Sequence, residues 1–293
     1  MAVVKEFLSE FLTEPEIAKL SGKPPGPVIT GKIMVMDYPI KEIDKFIASA
    51  CLYMNHRHYG GFSLCVANEG AAVVAALIAA GYTPLEIVNL RSSGTFDPIQ
   101  LIEGNQKLPD KLHIQKKGAD HKGLHFRDHI NELLRAKIPG DEAAMVTFTD
   151  LHNAGKRTPF YITALDITTA GIVPLSFETF PLMPVADAVL ASCAVQPYIS
   201  QVAYKTPDGE AHTFMACGQT QTLPIQTAIQ LAQKLGLGAG AGLASKVEGF
   251  GCKSTENAAG AKNASGSDHY KILLAQRAQL VCPDAMKAHL FLI

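Results

Sequence analysis

One stretch of the chain, Phe62 to Gly81 (FSLCVANEGAAVVAALIAAG), constrains the fold more than any other. A run of apolar, β-favouring residues leads without a linker into an apolar helix that ends at a glycine. The residues before it follow the same order, because the β-rich run VITGKIMVM at 28–36 precedes a helical segment at 40–54. Strand, helix, strand and helix within about fifty residues are typical of βαβ units and predict a parallel sheet.

The rest of the chain continues this alternation of apolar strands and amphipathic helices. We predict an α/β fold with a mainly parallel central sheet and helices on both of its faces. A short extended piece is predicted at 145–151. Further helices are predicted at 3–20, 126–138, 184–195 and 224–236, and further strands at 159–168, 171–178 and 212–218.

Composition changes divide the chain into three predicted parts. An N-terminal helical segment covers 1–27 and ends in the breaker SGKPPGP, and an α/β domain covers 28–235. A Gly/Ala-rich C-terminal extension covers 236–293 and contains a terminal helix at 269–281. The glycines at 236–242 are not predicted to form a phosphate loop, because they follow a helix and no Lys-Ser pair comes after them.

Charge and cysteine usage exclude several classes of function. Twenty-six basic and 27 acidic residues give a net charge of −1, which does not indicate a nucleic-acid partner. The six cysteines are scattered without a CxxC pair, so we expect buried thiols and no disulfide framework, metal site or cofactor. The N-terminus lacks the features of a signal peptide, and the longest apolar run, Ala71 to Ala80, is too short to span a bilayer. We therefore predict a protein that is cytoplasmic or peripheral to a membrane.

Five segments together resemble the patatin-like phospholipases, which are lipid acyl hydrolases with a Ser-Asp dyad on a three-layer α/β fold. The resemblance extends over about 28–235, and the segments that carry it lie at 70–87, 122–134, 146–151, 160–202 and 208–225. It implies a phospholipid or another acyl-ester lipid as the ligand, met at a membrane surface; a protein partner is not identified. The family's chemistry requires a serine on a tight G-x-S-x-G turn, an aspartate that accepts its proton, and a glycine-rich oxyanion loop.

The nucleophile position of this resemblance does not hold a serine. Alignment without gaps from the end of the helix places Glu69 there, with Ala67 and Ala71 at the flanking glycine positions. If Gly70 is taken as the closing glycine, the position falls on Asn68 instead. Neither side chain offers a hydroxyl, and the loss of both glycines is expected to make a strained turn harder to hold.

The other two catalytic elements are also substituted. The aspartate of the dyad falls on Ala216, whose methyl group accepts no proton, with Gly218 alone remaining of the turn's glycines. The oxyanion-loop positions are Asp37, Tyr38 and Pro39. Pro39 has no N–H to donate and Asp37 would repel an oxyanion.

Several further residues are candidates for chemistry, and we weigh each against a structural role. Ser63 is the alternative, displaced nucleophile, although it lies early in a strand. Ser192 and Cys193 lie on an apolar helix where small residues permit close packing. Cys217 is expected to be an inert thiol, since no histidine adjoins it in sequence.

Histidines and one aspartate complete the candidates. His121, His125 and His129 are spaced by four, a spacing that can bind a metal, but Gly123 indicates a loop before the helix, so we predict no metal site. The His56-Arg57-His58 triplet is predicted to be an exposed loop end. Asp166 ends a strand, and we predict that it accepts local hydrogen bonds instead of serving the dyad.

Three functions remain open from the sequence. The first is a patatin-like lipid acyl hydrolase of the phospholipase A type whose substituted dyad and oxyanion loop impair catalysis and which binds a lipid or a partner. The second is an active serine acyl-ester hydrolase with a displaced nucleophile, for which Ser63 is the candidate. The third is a protein-interaction scaffold, which predicts a cleft filled by side chains.

Overall fold

Helices and strands alternate along the chain as the sequence predicts. The computed structural model describes residues 2–22, 27–57, 59, 61–98, 101, 123–141, 144–155, 158–195, 199–217, 223–238, 243, 246–251 and 289–292. The strands are β1 Lys32–Tyr38, β2 Phe62–Glu69, β3 Phe160–Asp166, β4 Gly171–Leu175, β5 Val202–Lys205, β6 Ala211–Met215, β7 Val247–Gly251 and β8 His289–Leu292. The helices are α1 Ala2–Ser9, α2 Glu14–Ser21, α3 Ile43–Phe46, α4 Leu52–His56, α5 Ala71–Ala80, α6 Pro84–Ser92, α7 Leu124–Arg135, α8 Phe148–Asn153, α9 Val185–Cys193 and α10 Ile225–Lys234. A 3₁₀ turn at Ile40–Glu42 precedes α3, and a π-helical turn at Ile47–Cys51 joins α3 to α4.

The described strands form one eight-stranded sheet in the order β5-β6-β3-β2-β1-β7-β8, with β4 paired to β3. Strands β3, β2, β1, β7 and β8 run parallel to one another. Strands β4, β5 and β6 pair antiparallel at one side. The prediction of an α/β fold with a mainly parallel central sheet is therefore confirmed.

Side chains of β1 alternate between the two faces of the sheet and give it three layers. Met34, Met36 and Tyr38 join a large core that includes residues of α1 to α9. Ile33 and Val35 point the other way and pack with α10 in a second core. Because helices cover both faces, the strand is apolar at nearly every position, as is usual for parallel sheets.

The N-terminal region differs from the single helix predicted at 3–20. The structure has two helices, and the second begins after Thr13, whose backbone N–H and hydroxyl both contact the Glu16 carboxylate. This capping box, followed by a proline in the first turn, starts a new helix. Phe7, Leu8 and Ile17 are buried in the large core, so both helices pack against the domain predicted to begin at residue 28.

The extended piece predicted at 145–151 is wrong, because residues 148–153 form α8. Thr147 caps this helix: its hydroxyl accepts a hydrogen bond from the Asp150 N–H, and the Asp150 carboxylate accepts one from the Thr147 N–H. Phe148 and Leu151 are buried on its inner face. Local capping therefore outweighs the β-favouring composition of this stretch.

Part of the predicted C-terminal extension belongs to the central sheet. Residues 247–251 form β7, which pairs with β1 in parallel, and all five of them are buried. Strand β8 pairs with β7. The predicted boundary at 235 therefore does not end the sheet, while the predicted terminal helix at 269–281 lies outside the described residues.

Within the part of the chain that the structure describes, no helix combines the length and the apolar character needed to cross a bilayer.

Candidate functional site

The corner between β2 and α5, at Glu69 and Gly70, is the most constrained turn near the predicted catalytic positions. Glu69 has a φ of 50°, a left-handed conformation that non-glycine residues seldom adopt. Its N–H lies 3.0 Å from Asn68 Oδ1 and 2.8 Å from Ser192 Oγ, and its carbonyl accepts from the Cys193 thiol at 3.3 Å. Strain of this kind persists where surrounding contacts fix the backbone, and it clusters at functional sites.

Gly70 lets the segment after β1 approach this corner. A Cβ atom on Gly70 would lie 2.7 Å from Ile40 Cα, 2.9 Å from Ile40 N and 3.0 Å from the Tyr38 carbonyl oxygen. All three are backbone atoms, so the space is available to glycine alone. The structure thus brings the oxyanion-loop positions predicted at Asp37, Tyr38 and Pro39 next to the nucleophile position predicted at Glu69.

Asn68, the residue before Glu69, forms a hydrogen-bonded pair with Asp37 of β1. The parallel register sets Asp37 opposite Asn68, and the Asn68 amide donates to Asp37 Oδ1 at 3.1 Å. Asp37 Oδ2 accepts from the Leu223 N–H at 3.0 Å, which ties the segment before α10 to β1. Asn68 is fully buried.

The environment of Asp37 favours its neutral form. Burial raises the pKa of the Asp37 carboxyl to about 7, and repulsion from Glu69 adds to the increase, although hydrogen bonds from Leu223 and Asn68 oppose it. Asp37 is therefore able to exchange a proton near neutral pH. Perturbed carboxyl groups of this type are frequent at functional sites.

Ser192 supports the corner from α9. Its buried hydroxyl donates to the Thr163 carbonyl at 2.9 Å and accepts the Glu69 N–H. Both partners are backbone groups, so the hydroxyl links β3 to the strained turn. This arrangement gives Ser192 a positioning role beyond the close packing predicted from its small size.

Replacing Ser192 with alanine is expected to lower the free energy of unfolding by about 1–2 kcal/mol, because it removes two buried hydrogen bonds to backbone groups. Urea unfolding followed by circular dichroism measures the change. Ser93→Ala is the matched control, since Ser93 is exposed and its hydroxyl contacts a carbonyl of its own helix end. We expect the control to stay within about 0.5 kcal/mol of wild type, and equal effects of the two substitutions would contradict the support role.

The two cysteines at the site remain protonated. Burial, with a contribution from Glu69, raises the pKa of the Cys193 thiol well above its ordinary value. Burial also raises the pKa of the Cys217 thiol to about 12, and this thiol contacts Asn68 Oδ1 at 3.1 Å. Neither thiol has the thiolate character that a nucleophile needs at neutral pH.

The segment just after β6 lies beside the corner and includes Ala216, the position predicted for the dyad aspartate. Cys217 contacts Asn68, and its neighbour Ala216 donates its N–H to the Ala194 carbonyl at 3.1 Å just after α9. The structure thus brings Ala216 near Glu69 without placing a carboxylate there. Gly218 lies outside the described residues.

Asp166, at the end of β3, has two local hydrogen-bond partners and one distant partner. Its carboxylate contacts His212 Nδ1 at 2.9 Å, the Thr168 N–H at 2.9 Å and the Thr169 hydroxyl at 3.0 Å. Burial acts to raise the pKa of the Asp166 carboxyl, but these hydrogen bonds outweigh it and hold the pKa below its usual value. These contacts connect Asp166 to Thr168 and Thr169 in the turn between β3 and β4 and to His212 in β6. They favour a structural role for Asp166.

The remaining predicted candidates do not converge on the corner. Ser63 lies at the start of β2, six residues before Glu69, which is about 20 Å along an extended strand. His125 and His129 lie on α7, where His129 contacts Glu132 and stacks on Phe96, while His121 and His58 lie outside the described residues. Among the residues that the structure describes, no group of three or more His, Cys, Asp or Glu side chains could hold a metal ion.

Sequence reasoning did not identify the contact of Asp37 with Leu223. The two residues are 186 positions apart, and no local pattern links them. The pairing of Asp37 with Asn68 had a detectable signal, since both residues are polar and each comes directly after the end of a predicted strand. Leu223 also has a positive φ, 38°, so its backbone is strained where it meets Asp37.

Comparison with known proteins gives limited similarity. No protein-family model matches the chain, and no curated protein matches it. Among solved structures, VipD from Legionella pneumophila aligns over 87% of this chain and 56% of its own chain, with a TM-score of 0.45 and 13% identity. The type III effector protein ExoU aligns over 64% of this chain and 42% of its own, with a TM-score of 0.35 and 16% identity. The chain thus spans about half the length of the structures it resembles.

Proposed function

We propose that this chain is a patatin-like lipid acyl hydrolase of the phospholipase A type whose catalytic dyad and oxyanion loop are substituted. In this proposal it binds an acyl-ester lipid or a protein partner and does not hydrolyse esters efficiently. The observation that carries the proposal is the corner at Glu69 and Gly70. A strand at the middle of a parallel sheet enters a helix through a strained, left-handed residue, as the G-x-S-x-G turn of hydrolases requires. Here that residue is a carboxylate.

The groups around the corner support impaired catalysis. Glu69 lies just before Gly70, the N-cap of α5, where the positive end of the helix dipole favours an anion. A carboxylate there does not supply an alkoxide. Ala216 offers no proton acceptor, and Pro39 offers no N–H to a developing oxyanion. Each loss alone is expected to reduce the rate by orders of magnitude.

The alternative of an active hydrolase needs a hydroxyl that touches a carboxylate at the corner. Among the described residues, the Ser192 hydroxyl contacts the Glu69 N–H, and its two hydrogen bonds are to backbone groups. Ser63 lies at the opposite end of β2. Both placements argue against a displaced serine nucleophile and favour the impaired site.

We expect purified wild-type protein to show no turnover of a short-chain acyl ester or of a phospholipid above the uncatalysed rate. Hydrolysis is measured by fatty-acid release, with and without a serine-directed phosphonate. Because the substituted positions carry no activated hydroxyl, the phosphonate should neither label the protein nor change the signal. Phosphonate-sensitive turnover by the wild-type protein would overturn the proposal.

Variants that restore the missing groups provide the control. Glu69→Ser alone supplies a hydroxyl without its base, whereas Glu69→Ser with Ala216→Asp supplies both, so the double variant should hydrolyse the ester faster than the single variant. Sedimentation with phosphatidylcholine vesicles then separates lipid binding from the scaffold alternative, which predicts no lipid binding. A double variant no faster than the single variant, with wild-type unfolding, would contradict the assignment of Glu69 and Ala216 as dyad positions.

A further inference from the structure

A cavity of about 210 Å³ lies at the other end of β3 from the corner. Its lining comes from α8, from the start of β3, from the segment just after β4 and from Leu235 at the end of α10. The corner is formed at the carboxyl end of β2, whereas this cavity adjoins Thr158 to Tyr161 at the amino end of β3. The cavity is therefore separate from the proposed hydrolase site.

Aromatic rings form much of the cavity wall. Phe148 and Phe160, both buried, lie with ring centroids 6.1 Å apart and an interplanar angle of 44°. His152 and Phe177 are stacked in parallel at 4.0 Å, and Phe177 is 38% exposed. The lining thus combines two buried rings with an exposed one, and aromatic rings are large apolar surfaces on which a small ligand can pack.

One carboxylate, that of the exposed residue Glu178, belongs to the cavity lining, and its side chain is 34% exposed. The Tyr161 hydroxyl donates a hydrogen bond to it, and burial together with Glu178 raises the pKa of Tyr161, so the hydroxyl keeps its proton. The Glu178 N–H is held by the Ser176 hydroxyl at 3.1 Å. Lys234 Nζ contacts the carboxylate at 3.2 Å, but the lysine side chain is 68% exposed, and exposed ion pairs contribute little.

We infer that this cavity is a binding site for a small organic cation, an ammonium group carried on a short apolar or aromatic body. Aromatic faces attract a cation through their quadrupole, and the Glu178 carboxylate supplies the opposite charge. The exposed Lys234 ammonium contacts the Glu178 carboxylate. A ligand amine competes with this ammonium for the carboxylate and replaces it. The cavity is smaller than the sites of drug-sized ligands, which selects a compact molecule.

The experiment compares two probes of the same shape, phenethylamine, which is a cation at pH 7, and the neutral 2-phenylethanol. Binding to the full chain is measured by saturation-transfer NMR and by titration. We expect the amine to bind about tenfold more tightly than the alcohol, because the carboxylate and the rings both favour the cation. Equal affinity of the two probes, or binding of neither, would overturn the inference.

Three variants test whether the preference for the amine comes from the cavity residues. Glu178→Gln should remove the preference for the amine, and Phe177→Ala should weaken both probes. Lys234→Ala should strengthen amine binding several-fold, since it removes the competing cation; a merely structural role of the lysine predicts no gain. Glu210→Gln, which removes an exposed carboxylate outside the cavity lining, is the control, and an equal loss in this variant would show that the preference does not come from the cavity.

Discussion

Replacing Gly70 with alanine is expected to destabilise the protein by about 3 kcal/mol, because the new methyl group would overlap backbone atoms that cannot rotate away. Gly70 has a φ of −60° and a ψ of −27°, which any residue adopts, so the cost does not arise from its conformation. It arises from the overlap of the added Cβ atom with the backbone of Ile40 and with the Tyr38 carbonyl oxygen. Urea unfolding of the variant and the wild type measures the difference.

Gly140→Ala is the matched control for this substitution. A Cβ atom at Gly140 would meet nothing within 4 Å, and the residue does not have a positive φ. We expect its free energy of unfolding to stay within about 0.5 kcal/mol of wild type. If Gly70→Ala were as mild as the control, the segment after β1 would not be packed against the corner, and the grouping of Asp37, Pro39 and Glu69 into one site would lose its basis.

The sequence predicted the corner because its signals are local. An apolar strand, a short polar turn with one glycine and an apolar helix occur within twenty residues, and each has its own period and boundary. The parallel sheet followed from the same alternation. Glu69 adopts a positive φ although alanines flank the turn, and three contacts fix its backbone. That the missing glycines make this turn harder to hold stays a prediction.

Features that depend on distant residues could not be predicted in this way. Strand β7 comes from a Gly-rich stretch with weak strand propensity, and pairing with β1 and burial stabilise it. The contact of His212 with Asp166 joins residues 46 positions apart, and that of Leu223 with Asp37 joins residues 186 apart. Strand register and tertiary packing determine these contacts, and neither leaves a periodic pattern in the sequence.

The stability of the protein is expected to fall as the pH rises from 5 to 7, because Asp37 holds a proton in the folded state. The pKa of Asp37 is about 7 in the folded protein against an ordinary value of 3.8. Between these values the folded chain binds a proton that the unfolded chain has released, so the stabilisation is complete below pH 3.8 and is lost as the pH rises towards 7. The expected loss between pH 5 and 7 is about 2 kcal/mol.

Asp37→Asn tests this expectation through the pH dependence of unfolding. The amide cannot ionise, so the difference in the free energy of unfolding between variant and wild type should change by about 2 kcal/mol from pH 5 to 7, in favour of the variant at the higher pH. The absolute stability is not the readout, since the amide also alters the contacts with Asn68 and Leu223. Asp208→Asn, at an exposed turn between β5 and β6, is the control for the loss of a carboxylate.

Glu69→Gln tests the same ionisation of Asp37 by removing the neighbouring negative charge. Glu69 raises the pKa of Asp37 by repulsion, so the neutral glutamine should lower that pKa. The loss of stability should then end at a lower pH and be smaller. This effect requires the Glu69 carboxylate to lie close to Asp37 in solution. The proposed site has this arrangement, because Glu69 occupies the nucleophile position and Asp37 belongs to the neighbouring oxyanion loop. Asp37→Asn could flatten the pH dependence of the free energy of unfolding while Glu69→Gln leaves it unchanged. That result would show that the two carboxyl groups do not interact, and it would contradict the assignment of the corner as a substituted hydrolase turn.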